Sequence, residues 1–278
     1  MFAGRDGERA DAAALGLLED RLEVRVPGRH REHVDAVVQQ MEAQYQQQFN
    51  VVNTFVVETN HYPSYHEKVV RDGTPTYRSA THLSTDGGRS FMSDEVPSTF
   101  YGFDFDRLRQ HARHGGTETI SDVTAHVLVI DNPAAFNPDM DDSATRLTYY
   151  IDAKRHLPVR MRMETRADER DGPASTVVVD LTDYRVTDGL TLPYRMETQI
   201  DIAMSEKERQ QMQQMMQQLK AMPERQRKQM EKMMGDRMDT MTRMVSGEPI
   251  VVEVRSVKVN TEIPAGVFSR SGAAGRSN

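Results

Sequence analysis

The chain has 278 residues, a formal charge of −7, an isoelectric point near 5.7 and no cysteine. The acidic balance argues against a nucleic-acid partner, which needs a basic face, and the missing thiols exclude disulfides, thiolate metal sites, a cysteine nucleophile and the cysteine that N-terminal lipidation requires. No apolar run approaches the roughly eighteen residues of a membrane-crossing helix, so no transmembrane segment is expected.

Residues 1–30 have little periodicity, and Gly4, Gly7, Pro27 and Gly28 break what there is, so a flexible arm is expected. Its Ala/Leu-rich stretch, Ala10 to Leu18, is too short and too acidic in its surroundings for a secretory core. Arg31 to Gln48 places Val34, Val37, Val38, Met41 and Tyr45 on one stripe, the spacing of an amphipathic helix. Strands are predicted at 50–60, with Phe55 and Val57 among its apolar residues, at 65–71 and at 77–85, separated by the Pro63, Asp72-Gly73 and Asp86-Gly87-Gly88 breaks. Phe103 to Leu108 suits a short helix, and Val123 to Ile130, apolar on both parities, suits a central strand. An acidic loop is expected at 132–143.

From Arg146 to Ile202 the period is two. Leu147, Tyr149 and Ile151 alternate with polar partners. So do Leu157, Val159, Met161 and Met163; then Val177, Val179 and Leu181; and, after Asp188-Gly189, Leu190, Leu192, Tyr194, Met196, Ile200 and Ile202. A period of two sends alternate side chains to opposite faces, so the pattern predicts antiparallel hairpins with one apolar and one wet face. Arg160 and Arg162 fall on the wet face. In Ile250 to Val259 the apolar parity changes between Val254 and Val257, which predicts a bulge near Arg255-Ser256.

Between these strands, 204–246 changes period. Ser205 and Glu208 form a capping-box pair, and Met212, Met215, Met216, Leu219 and Met222 follow helical spacing. Pro223 opens a second stripe through Met230, Met233, Met234, Met238, Met241 and Met244. An inserted helical hairpin is expected, its Met faces either serving as a mobile apolar lid or packing on each other. Residues 269–278 form a Gly/Ser/Arg tail expected to be disordered.

Candidate chemistry is sparse. His30 with His33, His61 with His66 and His111 with His114 are spaced closely enough to suggest ligand pairs, and Asp139, Asp141 and Asp142 could face a cation. None matches a known ligand spacing, so no metal and no cofactor are expected. The chain holds no Gly-x-Ser-x-Gly motif, and Asp86-Gly-Gly88 and His114-Gly-Gly116 lack the lysine or spacing of a phosphate loop and are expected to be turns. The largest feature left is the apolar sheet face, which taken alone favours a packed core over an open cavity.

Three motifs point the other way. Tyr150-Ile-Asp-Ala-Lys-Arg-His-Leu-Pro-Val159, Asp183-Tyr-Arg-Val-Thr-Asp-Gly-Leu-Thr-Leu-Pro193 and Val257-Lys-Val-Asn260 followed by Ile263-Pro264 and Val267-Phe268, in this order, resemble the outer-membrane lipoprotein carrier (LolA-like) family over roughly 34–268. The resemblance implies an α+β fold: a curled antiparallel sheet forming an incomplete β-barrel with lid helices, here interrupted at 204–246. It implies a non-catalytic periplasmic carrier that shields lipoprotein or lipid acyl chains in an apolar cavity, with membrane-associated donor and acceptor proteins as further partners. The cavity candidates are then Phe55, Val57, Leu147, Tyr149, Ile151, Val159, Met161, Met163, Val179, Leu181, Leu192, Tyr194 and Met196. The lid candidates are Met212, Met215, Met216, Leu219, Met230, Met233 and Met234. Two alternatives stay open: a protein-interaction module on the same fold with a solid core, and a metal-dependent hydrolase using His61, His66, His111 or His114 with a carboxylate.

Overall fold

The structure, a computed structural model, describes residues 27–60, 63–71, 74–81, 104–137, 140, 143–166, 174–203, 247–264 and 267–268, with Lys207, Gln210 and Gln214. The expected arm before residue 27, the tail from 269, the acidic triplet Asp139, Asp141 and Asp142 and the Met-bearing positions of 204–246 lie outside these residues. Lys207, Gln210 and Gln214 are helical and exposed.

The described chain builds α1 (Pro27–Val51), β1 (Thr54–Thr59), β2 (Ser64–Arg71), β3 (Thr74–Thr81), α2 (Phe105–His111), β4 (Ala112–Ile120), β5 (Val123–Ile130), α3 (Pro133–Phe136), β6 (Ala144–Asp152), β7 (Pro158–Thr165), β8 (Ser175–Thr187), β9 (Leu190–Ile202) and β10 (Ile250–Val259). All ten strands join one antiparallel sheet in the order β3-β2-β1-β10-β9-β8-β7-β6-β5-β4. β3 and β4 are its two edges and do not pair with each other. The expected incomplete barrel is therefore an open sheet, neither closed nor strongly curled.

The physical reason is a cover. Helix α1 is 25 residues long, about 37 Å at 1.5 Å per residue. Ten strands laid flat at about 4.8 Å spacing would span about 43 Å, while His33 and Phe49, which touch the two edge strands, lie only about 24 Å apart along the helix, so the sheet bends toward the helix without closing. Its N-terminal part places His33 against His114 of β4, and its C-terminal part stacks Phe49 on Tyr77 of β3 at 4.9 Å. The predicted stripe of Val34, Val37, Val38, Met41 and Tyr45, extended by Phe49, is buried. It packs with Leu108, Leu128, Ile130, Phe136, Leu147, Tyr149 and Ile151 into the main core. A second cluster under the end of α1 joins Val52, Phe55, Val57, Leu190 and Leu192. A sheet whose apolar face is covered by a helix has no need to close on itself.

The bulge predicted near Arg255-Ser256 is present. Glu58 pairs with Ser256 and Thr59 with Val254, so Arg255 is the extra residue. It returns Val257 and Val259, opposite Val57 and Phe55, to the covered face. A second bulge was not expected. Tyr150 pairs with Arg160 and Ile151 with Pro158, which leaves Val159 extra. Val159 therefore joins the cluster of the opposite face, with Ile120, Ala125, Val127, Val129 and Tyr150. This corrects its expected place beside Met161 and Met163.

Two further expectations are corrected. His114-Gly-Gly116, expected to be a turn, lies within the edge strand β4, residues 112–120. Gly115 and Gly116 make a bulge within it, between the His114–Leu128 and Thr117–His126 pairs. The hairpin turn is Ser121-Asp122, both at positive φ (46° and 69°) without a glycine, whereas the Asp188-Gly189 turn (48° and 85°) matches its sequence signal. Strand β5, expected to be central, lies next to the edge. It is apolar on both parities because Leu128 and Ile130 enter the main core while Val127 and Val129 enter the opposite cluster. α1 also starts at Pro27 rather than Arg31, and the loop at 132–143 contains the one-turn α3, capped by Asn132.

Candidate functional site

Partners directly opposite in an antiparallel ladder point to the same face. On the covered face this produces three rungs across the middle of the sheet. The first is Met163, Val177 and Ile200; the second is Met161, Val179, Thr198 and Ile250; the third is Leu181, Met196 and Val252. Their burial is graded. Phe55, Val57, Leu147, Tyr149, Ile151 and Leu192 are buried among the helix-covered clusters, and Val179 and Leu181 are buried within the sheet. Met161, Met163, Val177, Tyr194, Met196, Ile200, Ile250 and Val252 are half-buried. The candidates named from sequence thus fall into a sealed set and an accessible set, and Val159 alone lies on the other face. The connection that contains 204–246 leaves β9 at Ile202 and re-enters at Ile250, beside the first two rungs.

The opposite face is polar across β7 to β10, beside the apolar cluster around Val127 and Tyr150. Arg160 donates to Asp180 from Nε and Nη2 (2.5 and 2.9 Å), Arg195 donates to Glu253 (2.7 Å) and Arg162 pairs with Glu164. A cleft of about 440 Å³ is lined there by Ile120, Val123, Arg155, Val159, Asp180, Tyr184, Arg195 and Glu197 among others. Its wall includes the Asp152 turn. Burial alone would raise the Asp152 carboxyl, but bonds from the Arg155 backbone and side chain and the Lys154 backbone hold it below the usual carboxylate range.

The histidine pairs expected from sequence are rearranged. His61 and the side chain of His30 lie outside the described residues. His66 is fully buried in β2, stacked on Phe55 at 4.3 Å and hydrogen-bonded to Ser79 Oγ (2.7 Å) and Ser64 Oγ (2.9 Å). Desolvation pushes its pKa down to about 3, so it is a neutral core plate at neutral pH. Seven strands separate β2 from β4 in the sheet order, so His66 cannot share a site with His111 or His114. His111 ends α2.

His33 and His114 instead meet across α1 and β4, with ring centroids 4.0 Å apart, and His126 of β5 joins them at 5.2 and 6.2 Å. One ligand nitrogen from each lies within 4.8 Å of the others. Burial lowers the His126 pKa, and the nearby charges of His33 and His156 lower it further. No short spacing flagged His126. Its one sequence signal was a histidine on the same parity as Leu128 and Ile130 in an otherwise apolar strand.

No family model and no curated protein matches the chain. Two solved structures are similar to it. One is a domain described as an outer membrane lipoprotein-sorting protein from Vibrio parahaemolyticus, at 10% identity and a TM-score of 0.46, covering 86% of this chain and 97% of that one. The other is a DUF1329 family protein from Desulfovibrio piger, at 9% identity and a TM-score of 0.43, covering 86% and 98%. No helix among the described residues is long and apolar enough to cross a membrane.

Proposed function

We propose that the chain is a periplasmic carrier that shelters the acyl chains of a lipoprotein or lipid against the covered face of its sheet, in transit toward the outer membrane. The observation that supports this most is the set of rungs from Met163 to Val252, apolar but for Thr198 and half-buried but for Val179 and Leu181, which continues the α1-covered core past Met161 and Met163. Shielding hydrocarbon is favourable by about 0.8 kcal/mol per buried methylene, so a track of this kind needs no catalytic step and no cofactor to hold cargo. Methionine at three accessible positions suits cargo of varied shape, because its side chain is unbranched and polarizable. On this reading the segment 204–246, whose flanking strands end at Ile202 and resume at Ile250, serves as the lid through Met212, Met215, Met216, Leu219, Met230, Met233 and Met234. Donor and acceptor proteins at the two membranes would complete the route.

The test is binding of a fluorescent fatty acid together with native mass spectrometry of the purified chain. Bound acyl species are expected, and Met196→Asp should weaken the probe while leaving the fold intact. Replacing 204–246 by a short Gly/Ser loop should speed probe exchange. If no acyl species is found and the probe does not bind, the carrier reading fails. The same result would favour a protein-interaction module on a solid core, the reading supported by the complete burial of Leu147, Tyr149 and Ile151.

A further inference from the structure

We infer that His33, His114 and His126 bind one divalent transition-metal ion, zinc by preference, and that this ion clips the N-terminal part of α1 to the β4 edge of the sheet. The inference does not depend on the carrier reading.

The three imidazoles come from three separate elements, so sequence adjacency does not account for their meeting. The fold brings them together. The α1 stripe turns its buried side toward the sheet, and His33 sits one residue before Val34, the first buried member of that stripe. His114, opposite Leu128, and His126, opposite Ile151, both lie on the face that the helix covers, and the bulge at Gly115-Gly116 sits between their rungs and puts Thr117 rather than Gly116 opposite His126. Gly116 has φ +95°, a conformation side chains rarely adopt, and a Cβ on Gly115 would come within 3.0 Å of Val127 and Val129.

The donor set fits a borderline metal. Imidazole nitrogens bind zinc at about 2.0–2.1 Å in tetrahedral geometry, and a catalytic-type or open site has three protein ligands with water in the fourth position. The ligand atoms now lie within 4.8 Å of one another, so small side-chain rotations close them around an ion. The group contains no carboxylate, which argues against calcium and magnesium, both oxygen-seeking ions. His126 Nδ1 is buried and has no hydrogen-bond partner among the described residues, an arrangement that a metal or its bound water would satisfy. His33 is exposed, which leaves the ion a path from solvent.

The experiment uses the full chain, stripped with a chelator and titrated with zinc in a calorimeter, with cobalt as a spectroscopic substitute. One equivalent of zinc is expected, a cobalt complex with the intense visible bands of tetrahedral coordination, and a melting temperature that rises with zinc because only the folded chain presents the site. His33→Ala, His114→Ala and His126→Ala should each weaken zinc by roughly tenfold or more, since even partners outside the ligand set contribute that much. His111→Ala should bind as the parent does. His33 is exposed, so zinc-free His33→Ala should melt with the parent and show that the loss is in the metal alone. Absence of stoichiometric binding at micromolar zinc overturns the inference. So does parent-like affinity in both His33→Ala and His126→Ala, which would place the metal at other histidines, and so does equal competition by magnesium.

Discussion

The two ends of α1 each lie over a histidine of the sheet, and the two sites differ in how the ring is treated. At the C-terminal end everything is matched. His66 has a hydroxyl on each ring nitrogen and a phenyl ring on its face, Tyr77 donates to the Val52 carbonyl at 2.8 Å, and Lys68 donates to the Phe49 carbonyl at 2.7 Å. At the N-terminal end three imidazoles crowd together, and the Nδ1 of His126 is matched by no hydrogen bond among the described residues. A buried histidine is therefore no signal in itself. What separates a core plate from a ligand is whether its neighbours are hydroxyls and aromatic rings or further histidines.

The comparison can be broken most forcefully at Phe55, the ring beneath His66. Phe55→Ala removes a fully buried side chain and should cost about 3–5 kcal/mol in urea unfolding. A loss under 1 kcal/mol would mean that the C-terminal end of the helix is not packed as described.

The second experiment is a pH series. His66 has a folded pKa of about 3 against an ordinary value of 6.5, so between these values the unfolded chain holds a proton that the folded chain does not. The stability tied to the neutral ring is complete above pH 6.5 and is lost as pH falls below it, by about 1.4 kcal/mol per pH unit. Urea midpoints at pH 7, 6 and 5 should therefore fall less steeply in His66→Gln than in the parent, by one proton's worth of slope. Equal slopes would show that the ring is protonated in the folded state.

At the other end, Gly115→Ala tests the bulge. The added methyl meets Val127 and Val129, and overpacking of this kind costs about 1–3 kcal/mol. The His66 slope should be untouched, because the change lies across the sheet. The smallest effect is expected midway along the helix, where Glu42 of α1 pairs with Arg109 of α2. Both side chains are partly exposed, so Glu42→Gln should change stability by about 0.2–1 kcal/mol, and less in high salt.

The sequence made some of this legible and hid the rest for identifiable reasons. The α1 stripe and the Arg255 bulge could be read because each leaves a mark in the apolar periodicity, as Val254 and Val257 do. The Val159 bulge leaves none, since Pro158-Val159-Arg160 keeps a regular alternation while the backbone shifts beneath it. Strand β4 was hidden twice: by two glycines that resemble a turn, and by a true turn, Ser121-Asp122, that contains no glycine. The open form of the sheet followed from a helix whose apolar stripe was legible but whose full extent, Pro27–Val51 rather than Arg31 to Gln48, and path across the strands were not. The histidine cluster joins an i-position on a helix to two strand positions on either side of a bulge, and no spacing rule spans three elements.

The seam between β1 and β10 has a consequence for how the chain is made. The Asn53 amide donates to the Asn260 side chain across 207 residues of sequence, and β1 can find its neighbour only once β10 exists. At about 5–20 residues per second of synthesis, β1 to β3 wait roughly 10–40 s for that partner. The meander from β4 to β9 can pair hairpin by hairpin as it emerges, but the two parts of the sheet stay separate until the last strand is released. A chain stopped before Ile250 would hold two sub-sheets under one helix and no strand to join them.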